Sequence, residues 1–377
     1  MAPQRSAGTG ARSGTAGFGA RLVLLGVSLL VALLLLEGAV RVRQWMRYGT
    51  TQADAVELVT DPATGLRFAR PHMDTGRIQT NSLGFRSPEL ETPKPRGRVR
   101  LAFLGGSTTF CAEVSSNAVT WPSLVMKKLE ARYSDVSFDY VNAAEPGYGV
   151  ASSLKNYRLR VARLTPDFVL YYEASNDFSM DTRDLARRRG LFRDEAESPS
   201  SLARISSAWG LIEKNLTYRR RVAESRTGRR LDYDADSLAR GFESRLVELI
   251  QTARETAPLC ALATFSHKVR RDQPPAVQLQ ACTSSLYDSP YMSVAGLLDG
   301  WDAYNRAIAG AARETGAMLI TGDETIPGDD LHFADSVHFK DAGSVLQAER
   351  IANALIASPE FNRLLASRRG AARAATS

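Results

Sequence analysis

Five short apolar segments that alternate with helix-like segments constrain the fold of this chain more than any other feature. Strand patterns lie at residues 98–104, 136–142, 167–172, 259–265 and 317–320. Helix patterns lie at residues 120–133, 151–164, 237–256, 298–315 and 342–357. Apolar strands that alternate with helices are typical of a parallel sheet covered on both faces. The sequence therefore predicts an α/β domain over residues 98–358.

A further apolar run near the amino terminus is too long for a strand. Residues 21–40 read RLVLLGVSLLVALLLLEGAV, and residues 22–36 carry no charge. Because about 20 apolar residues cross a bilayer, we predict a transmembrane signal anchor at 21–40, after a disordered basic segment at 1–20. A cleaved signal peptide is disfavoured because no small-residue cleavage site follows the run. A buried core helix is disfavoured because arginines flank the run at both ends.

The net charge of +7 is concentrated at the two ends of the chain. Residues 1–50 hold six Arg against Glu37, and residues 361–377 hold four Arg and no acid. The remainder is slightly acidic, so the charge does not indicate a protein that binds nucleic acid.

Three segments lie outside the alternating pattern. Residues 41–97 carry turn signals and predict an irregular or short-stranded lead-in. Residues 178–236 are polar and Arg-rich, and we predict a lid-like insertion there, since it follows a strand at the site edge of the sheet. Its basic stretch 214–230 fits either a solvated helix face or a contact for an anionic polymer. Residues 359–377 are basic and predict a disordered tail.

The first predicted strand ends in Gly105-Gly106-Ser107. Two interpretations fit a serine at this place. It either caps a helix in a tight strand-to-helix turn, or it is a nucleophile at the carboxyl edge of the sheet.

A serine nucleophile needs a base, and the base needs an acceptor that orients it. Asp335 stands three residues before His338, at a predicted loop-to-helix junction, and the two residues supply both functions. Asp329 and His332 repeat the same spacing. We predict His338 as the base because its loop lies at the same edge as the serine.

Two further stretches follow predicted strands and supply donors for a developing oxyanion. NAAEPGYGV (142–150) places Gly147 in a turn, and YYEASNDF (171–178) places Asn176 in another. The backbone N–H groups of Ser107 and Gly147 and the side-chain amide of Asn176 are the predicted oxyanion donors.

In this order, the four stretches resemble the SGNH hydrolase family, also known as GDSL-type esterases. The first family block is similar to Gly105-Gly106-Ser107 in its GGST variant, and the glycine of the second block is similar to Gly147. The Gly-x-Asn-Asp block is similar to residues 174–177, and the Asp-x-x-His block to residues 335–338. Residues 80–89 resemble the lead-in of membrane-anchored bacterial relatives. The resemblance implies a flavodoxin-like three-layer α/β/α fold and a nucleophilic serine with two further oxyanion donors.

The sequence departs from the family pattern at two positions. Gly106 replaces the aspartate before the serine, which we expect to cost little because that aspartate is not the base. Ala174 replaces the glycine of the third block, and a positive φ at this position would strain the loop that directs Asn176.

We therefore predict a membrane-anchored esterase that hydrolyses acyl esters, such as O-acyl groups on envelope glycans or lipids, with its catalytic domain in the periplasm or outside the cell. An O-acyltransferase would use the same residues, and an inactive binding protein could keep the same fold. A metal hydrolase is disfavoured because the four histidines and three cysteines lack ligand spacing. We predict neither a metal nor a cofactor.

The three cysteines do not form a disulfide framework. Cys260 and Cys282 could bridge outside the cytoplasm, and Cys111 is expected to pack as a small buried residue in the first helix turn after Ser107.

Overall fold

The computed structural model describes residues 15–48, 56–191 and 200–373 of the 377-residue chain. The chain divides into two compact units. The first comprises Met1–Ala53 with Ser198–Lys214, and the second comprises Asp54–Glu197 with Asn215–Ser377.

The strands of the described residues are β1 (Leu58–Thr60), β2 (Arg67–Ala69), β3 (Val99–Gly105), β4 (Phe138–Asn142), β5 (Phe168–Tyr172), β6 (Leu259–Ala263) and β7 (Met318–Ile320). The α-helices are α1 (Thr15–Tyr48), α2 (Ser107–Phe110), α3 (Trp121–Arg132), α4 (Val150–Asn156), α5 (Ser175–Arg188), α6 (Ser201–Ile205), α7 (Ser207–Thr227), α8 (Ala235–Arg254), α9 (Pro275–Ala281), α10 (Thr283–Asp288), α11 (Val294–Thr315), α12 (Asp341–Ala357) and α13 (Pro359–Arg373).

The first unit contains α1, α6 and the beginning of α7. Helix α1 includes one segment, Gly19–Met46, that is long and apolar enough to cross a membrane. The helix begins at Thr15, so the prediction of disorder is wrong for residues 15–20, which are helical. Residues 1–14 lie outside the described residues. It also continues past residue 40, because no proline interrupts the sequence between the apolar run and Tyr48.

The second unit is built on a five-stranded parallel sheet, as the alternating pattern predicts. The strand order is β4-β3-β5-β6-β7, and every pairing is parallel. All residues of the central strands β3 and β5 are buried, which explains why these segments are apolar except for Arg100, whose guanidinium pairs with Asp139. The carboxyl ends of β3, β4 and β5 meet at one edge, where the predicted site residues follow.

The predicted lead-in contains a short antiparallel hairpin. Strands β1 and β2 pair with Leu58 opposite Ala69, and residues 49–55 lie outside the described residues. The predicted helix 151–164 is helical over its whole length but is not a regular α-helix. A π-helical turn at Tyr157–Val161 and a 3₁₀ turn at Ala162–Leu164 follow α4.

The insertion at 178–236 contains most of α5, then α6 and α7, while residues 192–199 within it lie outside the described residues. In the second unit, the ring of Tyr218 on α7 lies 5.3 Å from that of Tyr287 on α10, and the Arg221 guanidinium lies over the same Tyr287 ring. This basic stretch is therefore partly packed against the domain.

The prediction of a disordered tail at 359–377 is wrong for the described part. Helix α13 covers Pro359–Arg373 and buries Phe361 and Leu365 completely. Three of its arginines are also paired with carboxylates, and Arg368 lies 2.5 Å from the buried carboxylate of Asp167. Apolar burial and ion pairing stabilise a helix that composition alone does not indicate.

The three cysteines are buried free thiols, so the suggested Cys260–Cys282 bridge is absent. Each of these two side chains is packed into the apolar core, where burial raises the pKa of both thiols to about 12. Cys111 is buried at the end of α2, as predicted.

Candidate active site

Ser107 begins the short helix α2, directly after the central strand β3. Gly106 is the N-cap of this helix, and the Ser107 hydroxyl contacts a histidine instead of capping it. A Cβ atom on Gly105 would collide with the Tyr172 carbonyl of β5. A Cβ atom on Gly106 would lie 2.6 Å from the Glu173 carboxylate. The two glycines therefore allow the serine turn to pack closely against the end of β5.

The structure brings Ser107, His338 and Asp335 into one hydrogen-bonded chain. Ser107 Oγ lies 2.7 Å from His338 Nε2, and His338 Nδ1 lies 2.7 Å from Asp335 Oδ2. Asp335 Oδ1 accepts the backbone N–H groups of Val337 and His338, both at 2.9 Å. These bonds fix the carboxylate and leave Oδ2 for the imidazole.

The second Asp-His pair has almost the same local geometry. His332 Nδ1 lies 2.7 Å from Asp329 Oδ1, and this oxygen also accepts the His332 backbone N–H. The segments of the two histidines are joined by a bond from the Ala334 N–H to the His338 carbonyl. The two Asp-His pairs differ in their position relative to the serine, because the Ser107 hydroxyl contacts His338.

The electrostatics of the chain favour a charged imidazole at neutral pH. Burial lowers the pKa of His338, but the hydrogen bond and the negative charge of Asp335 outweigh burial and raise the pKa to about 8. Burial raises the pKa of Asp335, but the hydrogen bond and charge of His338 outweigh it and lower the pKa. The neutral imidazole that can accept a proton from Ser107 therefore predominates only above about pH 8.

The predicted oxyanion donors lie on the same cavity as Ser107. Gly147 has a φ of +83° in the turn after β4, which favours glycine. Asn176 is the second residue of α5, and its Nδ2 donates one hydrogen bond to the Tyr148 carbonyl at 2.8 Å. This bond orients the amide and leaves its second hydrogen for a ligand. Ala174 has a φ of −150°, so alanine causes no strain there.

Glu173 was not singled out by the sequence patterns, but it joins the serine helix to the Asn176 loop. Its Oε2 accepts the Thr108 hydroxyl at 2.8 Å, and its Oε1 accepts the Asn176 backbone N–H at 2.9 Å. The side chain is buried, and burial raises the pKa of this carboxyl. Its only signal in the sequence is a charge that directly follows a fully apolar strand.

Arg86 holds the other end of the serine helix. Its Nη1 donates to the carbonyls of Phe110 and Cys111 at 3.0 and 2.6 Å, and its Nε donates to the Asn117 side chain at 2.8 Å. The guanidinium is 1% exposed, and burial lowers its pKa to about 10. A positive charge at the carboxyl end of a helix stabilises the unpaired carbonyls there.

The site opens into a cavity of about 300 Å³. Its apolar lining includes Phe178, Leu297 and Trp301, and its polar lining includes Ser284 and Ser285. The cavity can therefore accommodate a small group with both apolar and hydroxyl surfaces.

Comparisons with known proteins place the chain in a family. The model of the GDSL-like lipase/acylhydrolase family matches residues 103–346. No curated protein sequence matches the chain. Among solved structures, LAE5, an alpha/beta hydrolase enzyme from the metagenome of Lake Arreo in Spain, is 16% identical with a TM-score of 0.42, covering 71% of this chain and 96% of its own.

Axe2, an acetylxylan esterase from Geobacillus stearothermophilus, is 16% identical with a TM-score of 0.40, covering 71% of this chain and 94% of its own. The family match spans all four predicted sequence blocks and about two thirds of the chain. This protein therefore belongs to the GDSL-like lipase/acylhydrolase family and is a hydrolase of ester bonds.

Proposed function

We propose that the protein is a membrane-anchored, extracytoplasmic serine esterase in which Ser107, His338 and Asp335 carry out the reaction. The observation that carries this proposal is the continuous hydrogen-bonded chain from the Ser107 hydroxyl to the Asp335 carboxylate, with both contacts at 2.7 Å. The contacts have the nucleophile–base–orienter arrangement that acyl transfer needs.

In the first half of the reaction, Ser107 Oγ attacks the ester carbonyl carbon while His338 Nε2 takes the hydroxyl proton. The carbonyl π-electrons move to the oxygen, which accepts hydrogen bonds from the Ser107 and Gly147 N–H groups and the Asn176 amide. The intermediate collapses when the ester C–O bond breaks, and the leaving alcohol takes the proton from His338. An acyl ester on Ser107 remains.

In the second half, water gives a proton to His338 and its oxygen attacks the acyl carbon. The bond to Ser107 Oγ then breaks, and His338 returns its proton to the serine. Asp335 remains ionised throughout and holds the Nδ1–H tautomer, which leaves Nε2 free to accept.

The cavity supports a short acyl group on a hydroxyl-rich alcohol, such as a glycan of the cell envelope. A volume of about 300 Å³ is at the lower end for ligand pockets, which disfavours a long acyl chain within it. The hydroxyls of Ser284, Ser285 and Ser289 make this part of the lining polar, which suits an alcohol with several hydroxyl groups, although Ser284 and Ser289 also hydrogen-bond within the protein.

The membrane anchor is supported by helix α1. Its segment Gly19–Met46 is long and apolar enough to cross a membrane, and residues 22–36 within it are exposed. We place the amino terminus in the cytoplasm and the esterase domain on the opposite side of the membrane. A reporter fused to the carboxyl terminus that is active only outside the cytoplasm tests this orientation, and an inactive but intact fusion would contradict it.

The enzymatic proposal is tested with the purified full-length chain on p-nitrophenyl esters of increasing acyl length and on acetylated oligosaccharides. We expect turnover to fall as the acyl chain lengthens, and Ser107→Ala to remove it. His332→Ala is the matched control and should retain activity. Full turnover by Ser107→Ala would contradict the proposal.

The same assay separates hydrolysis from acyl transfer. Free acid should appear at the rate of alcohol release when a sugar acceptor is present. If acylated sugar accumulates instead of free acid, the protein is an acyltransferase that uses the same residues.

A further inference from the structure

The segment that contains α6 and the start of α7 exposes a row of apolar side chains. Leu202 and Ile205 lie three residues apart on α6, and Trp209 and Ile212 lie three residues apart on α7, so each helix presents one apolar pair on either side of Ser206. We call these four side chains the stripe. All four are exposed, and Ile205 is 75% exposed. An apolar stripe of this kind indicates contact with an apolar partner.

The corner between α6 and α7 is attached to α1 by a carboxylate. Glu37 accepts hydrogen bonds from the Ser206 hydroxyl at 2.8 Å and from the Ser207 and Ala208 N–H groups at 2.9 and 3.0 Å. It thereby satisfies N–H groups at the amino end of α7, where a negative charge is favourable. Arg41 donates to Glu37 at 2.7 Å and completes the attachment.

These contacts determine the level of the stripe along α1. The uncharged residues 22–36 end directly before Glu37, and Arg41 follows one helical turn later. In a membrane span, charges of this kind mark the place where the helix leaves the hydrocarbon region. The corner, and the stripe on either side of it, therefore lie at the level of the membrane boundary.

We infer that residues 200–214 form a second membrane contact, which lies in the lipid interface beside the Glu37 end of α1. This inference rests on the anchor proposed above. The occupant of the stripe is a lipid surface, because the Glu37 bonds hold the stripe beside the helix that enters the bilayer. Trp209 fits this environment, since tryptophan is enriched at membrane interfaces.

The experiment uses the full-length chain in lipid nanodiscs that contain one copy each. Ile205→Cys tests the stripe, and Val277→Cys on α9 is the matched control because Val277 is also apolar and 43% exposed. The three native cysteines are buried, and the unsubstituted protein gives their background. A membrane-impermeant maleimide should react with the Ile205→Cys variant at least about ten times more slowly than with the Val277→Cys variant. Each unit by which the lipid environment raises the pKa of the thiol lowers the thiolate fraction about tenfold.

A fluorescent label at 205 should also be quenched by brominated lipids, while a label at 277 should not. Equal modification rates at the two positions, without quenching at 205, would overturn the lipid contact. Protection that appears only with two copies in each disc would identify a second copy as the occupant and would also overturn it. Esterase activity of the same samples is recorded separately, so an inactive but protected protein would contradict the proposed function and leave the membrane contact standing.

Discussion

The pH dependence of ester hydrolysis gives a direct test of the Asp335–His338 pair. His338 has a pKa of about 8 although burial alone would lower it below the ordinary value of 6.5. This increase in the pKa corresponds to about 2 kcal/mol by which the site favours the imidazolium over the neutral ring. Since only the neutral ring accepts the Ser107 proton, kcat/KM should rise with pH through about 8.

The substitution Asp335→Asn removes the charge and keeps the shape. Because Asp335 Oδ1 accepts two backbone N–H groups, the asparagine oxygen takes that position and its NH₂ group faces His338 Nδ1. The imidazole must then carry its proton on Nε2, where it cannot accept from Ser107. We expect kcat/KM to fall by about 10² or more. The residual activity should titrate below the midpoint of the unsubstituted protein, because burial still lowers the pKa of the histidine and Asp335 no longer raises it.

The assay is kcat/KM for a short-chain ester between pH 5 and 10, with Asp329→Asn as the matched control. Asp329 holds His332 at the same spacing but away from the serine, so this control should keep both the rate and the midpoint of the unsubstituted protein. A midpoint that stays near 8 in Asp335→Asn, or one that moves equally in Asp329→Asn, would refute the reasoning.

Four further outcomes are expected. Ser107→Ala and His338→Ala should each lower kcat by about 10³ or more, and the double variant should be little worse, because the residues act as a unit; steady-state kinetics of the three proteins checks this. Asn176→Ala should lower kcat by about 10² with a smaller change in KM, as expected for the loss of one oxyanion donor. Glu173→Ala should lower the free energy of unfolding by about 1–3 kcal/mol for each buried donor that it leaves unpaired, measured by urea denaturation, and should also lower kcat. The folded-state pKa of His338 is raised to about 8, so its contribution of about 2 kcal/mol to the free energy of unfolding is complete below pH 6.5 and is lost as the pH rises through 8. The difference in the free energy of unfolding between the unsubstituted protein and His338→Gln should therefore shrink over that range.

The sheet could be predicted from the sequence because its strands are buried on both faces. An apolar run such as 168–172 admits few other structures when helix patterns lie on either side of it. The carboxyl-terminal helix could not be predicted in this way. Its arginines suggest a solvated tail, and the buried Asp167 that pairs with Arg368 lies about 200 residues away in the sequence.

The same distinction applies to the site. Ser107, His338 and Asn176 stand in short motifs whose spacing is visible in the sequence, and the structure places them around one cavity. Glu173 and Arg86 are single charged residues, and their sequence neighbours do not show that they are buried. Their contacts with α2 depend on the packing of β5 and the lead-in against it, which only the tertiary structure provides.

The close packing at Gly106 also limits how this part of the family can vary. The place where a side chain at 106 would begin is occupied by the Glu173 carboxylate and the Asn176 amide, at 2.6 and 2.5 Å from the missing Cβ. Glycine at 106 leaves room for both groups, whereas an aspartate at this position would displace them. A side chain at 106 would require Glu173 and Asn176 to move, and it would still meet the Tyr148 backbone carbonyl at 2.8 Å. A variant of this chain with a side chain at 106 would therefore lose the alignment of the serine turn unless the surrounding groups also changed.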